Sequence, residues 1–111
     1  MVQELKLMAD YSAWPVWGPG GEVDPAMLPI SPSLQDRLKA WAAAYDATLN
    51  RDDPASSAFP SSEAQAAWER EGLTLWHLLQ QELGSQYVVS YFSERRQKVL
   101  RPTGLRTPRS A

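Results

Sequence analysis

At 111 residues the chain has the length of one domain with one hydrophobic core, and 43% hydrophobic with 22% charged residues is the composition of a globular protein, not a disordered one. The absence of cysteine rules out disulfides, thiolate metal sites and cysteine nucleophiles. The net charge of −2 conceals an asymmetry: residues 1–93 hold five basic against twelve acidic side chains, a balance of −7, whereas residues 94–111 hold six basic against one acidic, a balance of +5.

The first residues, Met1-Val2-Gln3-Glu4-Leu5-Lys6, show no basic segment leading into an apolar run, and no stretch is long enough to span a bilayer. With no cysteine, a cytoplasmic location is the expectation. Leu5-Lys6-Leu7 alternates as a half-buried strand does. From Asp10 to Ile30 the periodicity stops, and Trp14-Pro15-Val16-Trp17-Gly18-Pro19-Gly20-Gly21 is broken by Pro and Gly. So long an irregular stretch in a small domain reads as a binding loop or as an unrecognised short strand.

Ser31-Pro32 opens a helix: serine caps free N–H groups, and proline at the first helical position forfeits only a donor that would be unpaired anyway. Leu34, Leu38, Trp41, Tyr45 and Leu49 recur on one helical face, with an end expected near Asn50. Asp52-Asp53-Pro54 follows as loop. A second helix starts at Ser61 or Ser62, where Ser62 and Gln65 fit a capping box. Trp68, Gly72, Leu75, Leu79 and Leu83 form its buried stripe, widened by Trp76, and Gly84 stands where a left-handed C-cap belongs. Tyr87 to Phe92 is the strongest strand signal in the chain, and Gln97 to Leu100 could pair back on it. Thr103 to Ala111 has the composition of a disordered tail.

The expected fold is therefore α+β, a small sheet with two antiparallel helices packed on one face. Its order is strand, loop, helix, helix, strand, with an extra short C-terminal strand as an option. Residues 1–101 are read as a single domain and 102–111 as a disordered basic tail.

Convergent catalytic groups are scarce. His77 is the only histidine, points away from Leu75 and Leu79 on the helical wheel, and is expected to be exposed. No phosphate loop, nucleotide fingerprint or histidine metal motif occurs, so no cofactor and no metal are expected. Asp46, Asp52 and Asp53 admit three readings: a hard-cation site of a small metal-dependent enzyme, a turn bonded to its own backbone, or negative charge offered to a basic partner. Trp14 and Trp17 would anchor an interface if exposed and close one end of the core if buried; burial is expected of at least one. The basic residues from Arg95 to Arg109 carry enough charge for weak nucleic-acid affinity, but lack interleaved aromatics and adjoin an acidic body, so nucleic acid is not the expected partner.

Leu5-Lys6-Leu7-Met8-Ala9-Asp10-Tyr11, the run Tyr45 to Pro54, and the stretch from Glu82-Leu83-Gly84 through Tyr91-Phe92-Ser93 together resemble a group of small bacterial proteins. Among these are the immunity proteins of bacterial toxin systems, including contact-dependent inhibition. The resemblance covers most of residues 5–94 and transfers no site residue. It implies a compact, non-catalytic, cytoplasmic inhibitor with a toxin as partner. Charge then suggests how it would bind: an acidic body associates fast with a basic toxin domain. Asp10, Glu22, Asp24, Asp46, Asp52 and Asp53 are the candidates for steering, and Trp14 and Trp17 for anchoring.

Overall fold

The computed structural model describes residues 2–50, 52–53 and 58–102. Five strands and two helices make an α+β fold. The strands are β1 (Gln3–Leu7), β2 (Val16–Gly18), β3 (Gly21–Val23), β4 (Tyr87–Ser93) and β5 (Lys98–Leu100), and the helices are α1 (Pro32–Asp46) and α2 (Ser62–Leu83). The sheet order is β3-β2-β1-β4-β5. The parallel pair β1–β4 lies at its centre and antiparallel neighbours lie on both sides. A parallel pair needs a long crossover, and here the β2–β3 hairpin and both helices supply it.

Register decides which side chains meet the helices. Leu5 pairs with Val89, Leu7 with Tyr91 and with Val16, and all five side chains are buried. Trp41 of α1 and Trp76 of α2 both lie against Tyr91, with ring centroids 6.3 and 5.5 Å away, so both helices cover the same face. The opposite face carries Lys6, paired with Trp17 and with Ser90.

The stretch expected to be irregular holds the β2–β3 hairpin and a 3-10 turn at Pro25–Met27. Three-residue strands are too short to show alternation: β2 contributes one fully buried side chain, Val16. The chain reverses at Pro19-Gly20, and Gly21 opens β3 at φ 118°, a conformation suited to glycine.

Helix α1 begins as expected, with Ser31 Oγ accepting from the Leu34 N–H. It ends at Asp46, short of Asn50, because the chain tightens there. Thr48 N–H bonds to Tyr45 O, Leu49 N–H to Asp46 O, and the Thr48 hydroxyl also donates to Tyr45 O at 2.7 Å. At α2 the cap is Ser61, whose Oγ accepts from Ala64 N–H at 3.0 Å. Ser62 is already helical, so the Ser62–Gln65 box does not form. Gly84 closes α2 at φ 74°. Of the basic tail expected at 102–111, residues 103–111 lie outside the described residues.

The buried stripe of α2 (Trp68, Gly72, Leu75, Leu79, Leu83) matches the expected one and adds Glu69. That carboxylate is 7% exposed and accepts from Tyr91 Oη at 3.1 Å and Ser93 Oγ at 2.5 Å. Burial first, then the charge of Glu69, raises the Tyr91 pKa, which keeps the phenol a donor.

Candidate functional site

The loop Asp10–Trp14 is fastened at several points. Met8 N–H bonds to Pro15 O at 2.8 Å and closes its base. Asp10 Oδ1 accepts from Tyr11 N–H at 2.8 Å. The Tyr11 ring stacks on Tyr45 at 4.7 Å, and its hydroxyl lies 3.2 Å from Thr48 Oγ1. Ser12 adopts φ 57°, a conformation that L-residues avoid, and is held in it by Asp46 Oδ1, which accepts its N–H at 2.9 Å. Glu22 Oε1 accepts the Trp14 N–H at 2.6 Å. The C-terminal half of α1 thus determines where the loop stands.

Beside this loop opens a groove of about 470 Å³, lined by Ser12, Trp14, Glu22, Lys39 and Asp46 among others. Trp14 is 38% exposed, and Lys39 Nζ sits 5.6 Å from its ring centroid, a cation–π contact. A large, partly exposed aromatic beside two carboxylates is an arrangement suited to another protein surface.

Three of the eight candidate residues, Trp14, Glu22 and Asp46, meet in this groove. Trp17 does not. It is half-buried on the sheet face away from the helices, its Nε1–H donating to Met8 O at 2.9 Å. Asp10 is exposed on the loop. Asp24 caps the 3-10 turn by accepting from Ala26 N–H at 2.9 Å. Asp52 and Asp53 are exposed beyond α1, and both their N–H groups donate to Asn50 Oδ1 at 3.0 and 3.1 Å. Asn50 Oδ1 thus gathers the backbone N–H groups of both aspartates.

The metal-enzyme alternative through Asp46, Asp52 and Asp53 finds no support: among the described residues no three His, Cys, Asp or Glu side chains are grouped as ligands. His77 is exposed. Among the described residues no helix is long and apolar enough to cross a membrane.

A second concavity of about 380 Å³ is lined by Tyr11, Tyr45, Thr48, Phe59, Gln65 and Glu94 among others. Glu94 is half-buried, and burial raises its pKa; the charges of Asp10 and Glu69 add to the rise, while hydrogen bonds from Gln97 and Tyr45 oppose it. Burial and then the charge of Glu94 push the Tyr45 pKa up. Sequence reasoning missed this cleft. Tyr45 was legible only as part of a buried stripe, and Tyr11 and Glu94 lie far apart in the chain with no spacing to link them.

A family model described as Serratia CdiI immunity protein-like matches residues 3–94. The match runs from β1 through β4 and includes all eight candidate residues, whereas the basic residues from Arg95 onward lie beyond it. No curated protein matches the chain. With most of its length inside that match, the chain belongs to the Serratia CdiI immunity protein-like family.

Proposed function

We propose that this chain is a non-catalytic, cytoplasmic binding protein that neutralises a basic toxin domain by direct contact. The observation that carries the reading is the groove lined by Glu22 and Asp46 in which Trp14 is partly exposed. It belongs to a portion of the chain, residues 1–93, with a charge balance of −7. Family membership supports a toxin as the partner. A toxin that acts on nucleic acid must present cationic side chains to phosphates, and an acidic surface would meet that patch, accelerate the encounter and occlude it. Trp14 supplies the apolar anchor around which such an interface closes. Glu22, Asp46 and the exposed Asp10, Asp52 and Asp53 supply steering.

The test is co-expression with the product of the neighbouring gene, followed by calorimetry on the purified pair. The expected result is a one-to-one complex whose association slows as salt rises, together with rescue of growth in cells making the toxin. A neighbouring product that is not a toxin, or that fails to bind at moderate salt, refutes the proposal.

A further inference from the structure

The Tyr11–Tyr45 cleft combines features that the proposed interface does not use. Tyr11 and Tyr45 are stacked at its wall, 24° from parallel. Glu94 lines the same space. Among the described residues no Lys or Arg forms an ion pair with Glu94; its direct partners are Gln97 Nε2, at a long 3.4 Å, and Tyr45. The charged groups that act on it, Asp10 and Glu69, are both carboxylates, so every neighbour that raises its pKa has the same sign. A half-buried carboxylate at an aromatic wall, with no countercharge among the described residues, is a receptor for a cation. Tyr45 is itself stacked against both Tyr11 and Trp68, so the electron-rich face open to a cation is that of Tyr11, and the carboxylate offers two acceptor oxygens spaced for a planar fork of donors.

We infer that this cleft receives one arginine side chain of the partner protein, its guanidinium paired with Glu94 and packed against the Tyr11–Tyr45 wall. The inference rests on the reading of the chain as a binder of a basic protein and names a contact for it. The loop Asp10–Trp14 contributes to both concavities, Tyr11 to this cleft and Trp14 to the groove. One continuous interface therefore sets an apolar anchor in the groove beside a charged one in the cleft.

The experiment is an NMR titration of the full chain at about pH 7.5, using N-acetyl-arginine amide and the neutral isostere N-acetyl-citrulline amide as probes. Expected are saturable shifts centred on the amides of Tyr11, Thr48 and Glu94 for arginine, with a millimolar dissociation constant and roughly tenfold weaker binding of citrulline. Glu94→Gln should abolish the difference between the two probes. Tyr11→Leu, which removes ring face and leaves the carboxylate, should weaken arginine several-fold without favouring citrulline. Equal responses to the two probes, shifts centred elsewhere, or an unchanged arginine response in Glu94→Gln overturn the inference. The companion measurement is binding of the toxin by Glu94→Gln. Unchanged affinity there with intact neutralisation by the parent chain sinks the cleft and leaves the immunity reading standing. A parent chain that binds arginine as described but no toxin sinks the immunity reading alone.

Discussion

Trp41 and Trp68 are bound to each other twice. The indole N–H of Trp41 donates to Trp68 O at 3.0 Å, the indole N–H of Trp68 donates to Trp41 O at 2.9 Å, and the rings stack 3° from parallel with centroids 4.3 Å apart. The pair joins α1 to α2 at the centre of an aromatic series. It runs from Tyr11 through Tyr45 to Trp68 and Trp41, and on through Tyr91 to Trp76. The loop that shapes both concavities is thereby stacked, ring on ring, against the core.

Replacing either tryptophan by phenylalanine keeps most of the buried area but removes one hydrogen bond between the helices, whose carbonyl acceptor retains its own helical partner, at a cost of about 0.5–1.5 kcal/mol. Because the two bonds belong to one clamp, the double variant should cost less than the sum of the singles. Urea unfolding of the four proteins measures this, and strict additivity would show that the clamp is not a unit.

Gly72 has no room for a side chain. A Cβ there would stand 2.5 Å from Tyr91 Oη and 2.7 Å from Trp41 Cζ2. Neither neighbour yields readily, since the hydroxyl is held by Glu69 and the indole by Trp68. Gly72→Ala gains about 1 kcal/mol of helix propensity but incurs overpacking of about 1–3 kcal/mol. The net effect should be a lower urea midpoint with the slope of the transition unchanged.

Glu69→Ala strands two buried hydroxyls, those of Tyr91 and Ser93, and opens space beneath α2. A loss of roughly 2–5 kcal/mol is expected. Pairing it with Tyr91→Phe should return part of the loss, since one stranded group disappears. Thermal melts of the single and double variants decide the matter.

Glu94 makes a pH-dependent contribution of predictable sign. Its folded-state pKa is raised above the ordinary 4.5 by burial, so the folded protein holds this proton more tightly than the unfolded chain does. The contribution is fully present below the unfolded value and is lost as pH rises through the raised folded one. Glu94→Gln should therefore melt at a higher temperature than the parent near neutral pH, and the gap should close as the pH falls toward 4.5. A gap that widens on acidification contradicts this.

Trp14→Ala should leave the fold intact, because the ring is 38% exposed and its contact with Lys39 lies at the surface. Affinity for the toxin should nevertheless fall by about tenfold or more, the loss expected of an interface anchor. Asp46→Asn keeps an acceptor for Ser12 N–H and should act on association rate rather than on loop geometry. Stopped-flow binding at two salt concentrations separates these two effects.

Local chemistry was enough to read the helices, the strong strand and most of the core. Ser31-Pro32 starts α1, the stripe from Trp68 to Leu83 orients α2, and Tyr87 to Ser93 is β-branched and aromatic enough to need no context. These are signals carried by neighbours in the chain, where period and capping act over a few residues. The sites followed other rules. Ser12 meets Asp46, Tyr11 meets Tyr45, and Glu94 joins both tyrosines only after β1 and β4 pair in parallel and α1 docks on them. Tertiary packing also reassigned charge: Glu22, Asp24 and Asp46 each accept a backbone N–H, and Glu69 is buried beneath two hydroxyls. Composition alone determined that acidic side chains are in excess before residue 94. Which of them hold the loop and which are left to meet another molecule depended on distances across the fold, because a hydrogen bond is made or lost within an ångström and no spacing along the chain encodes that.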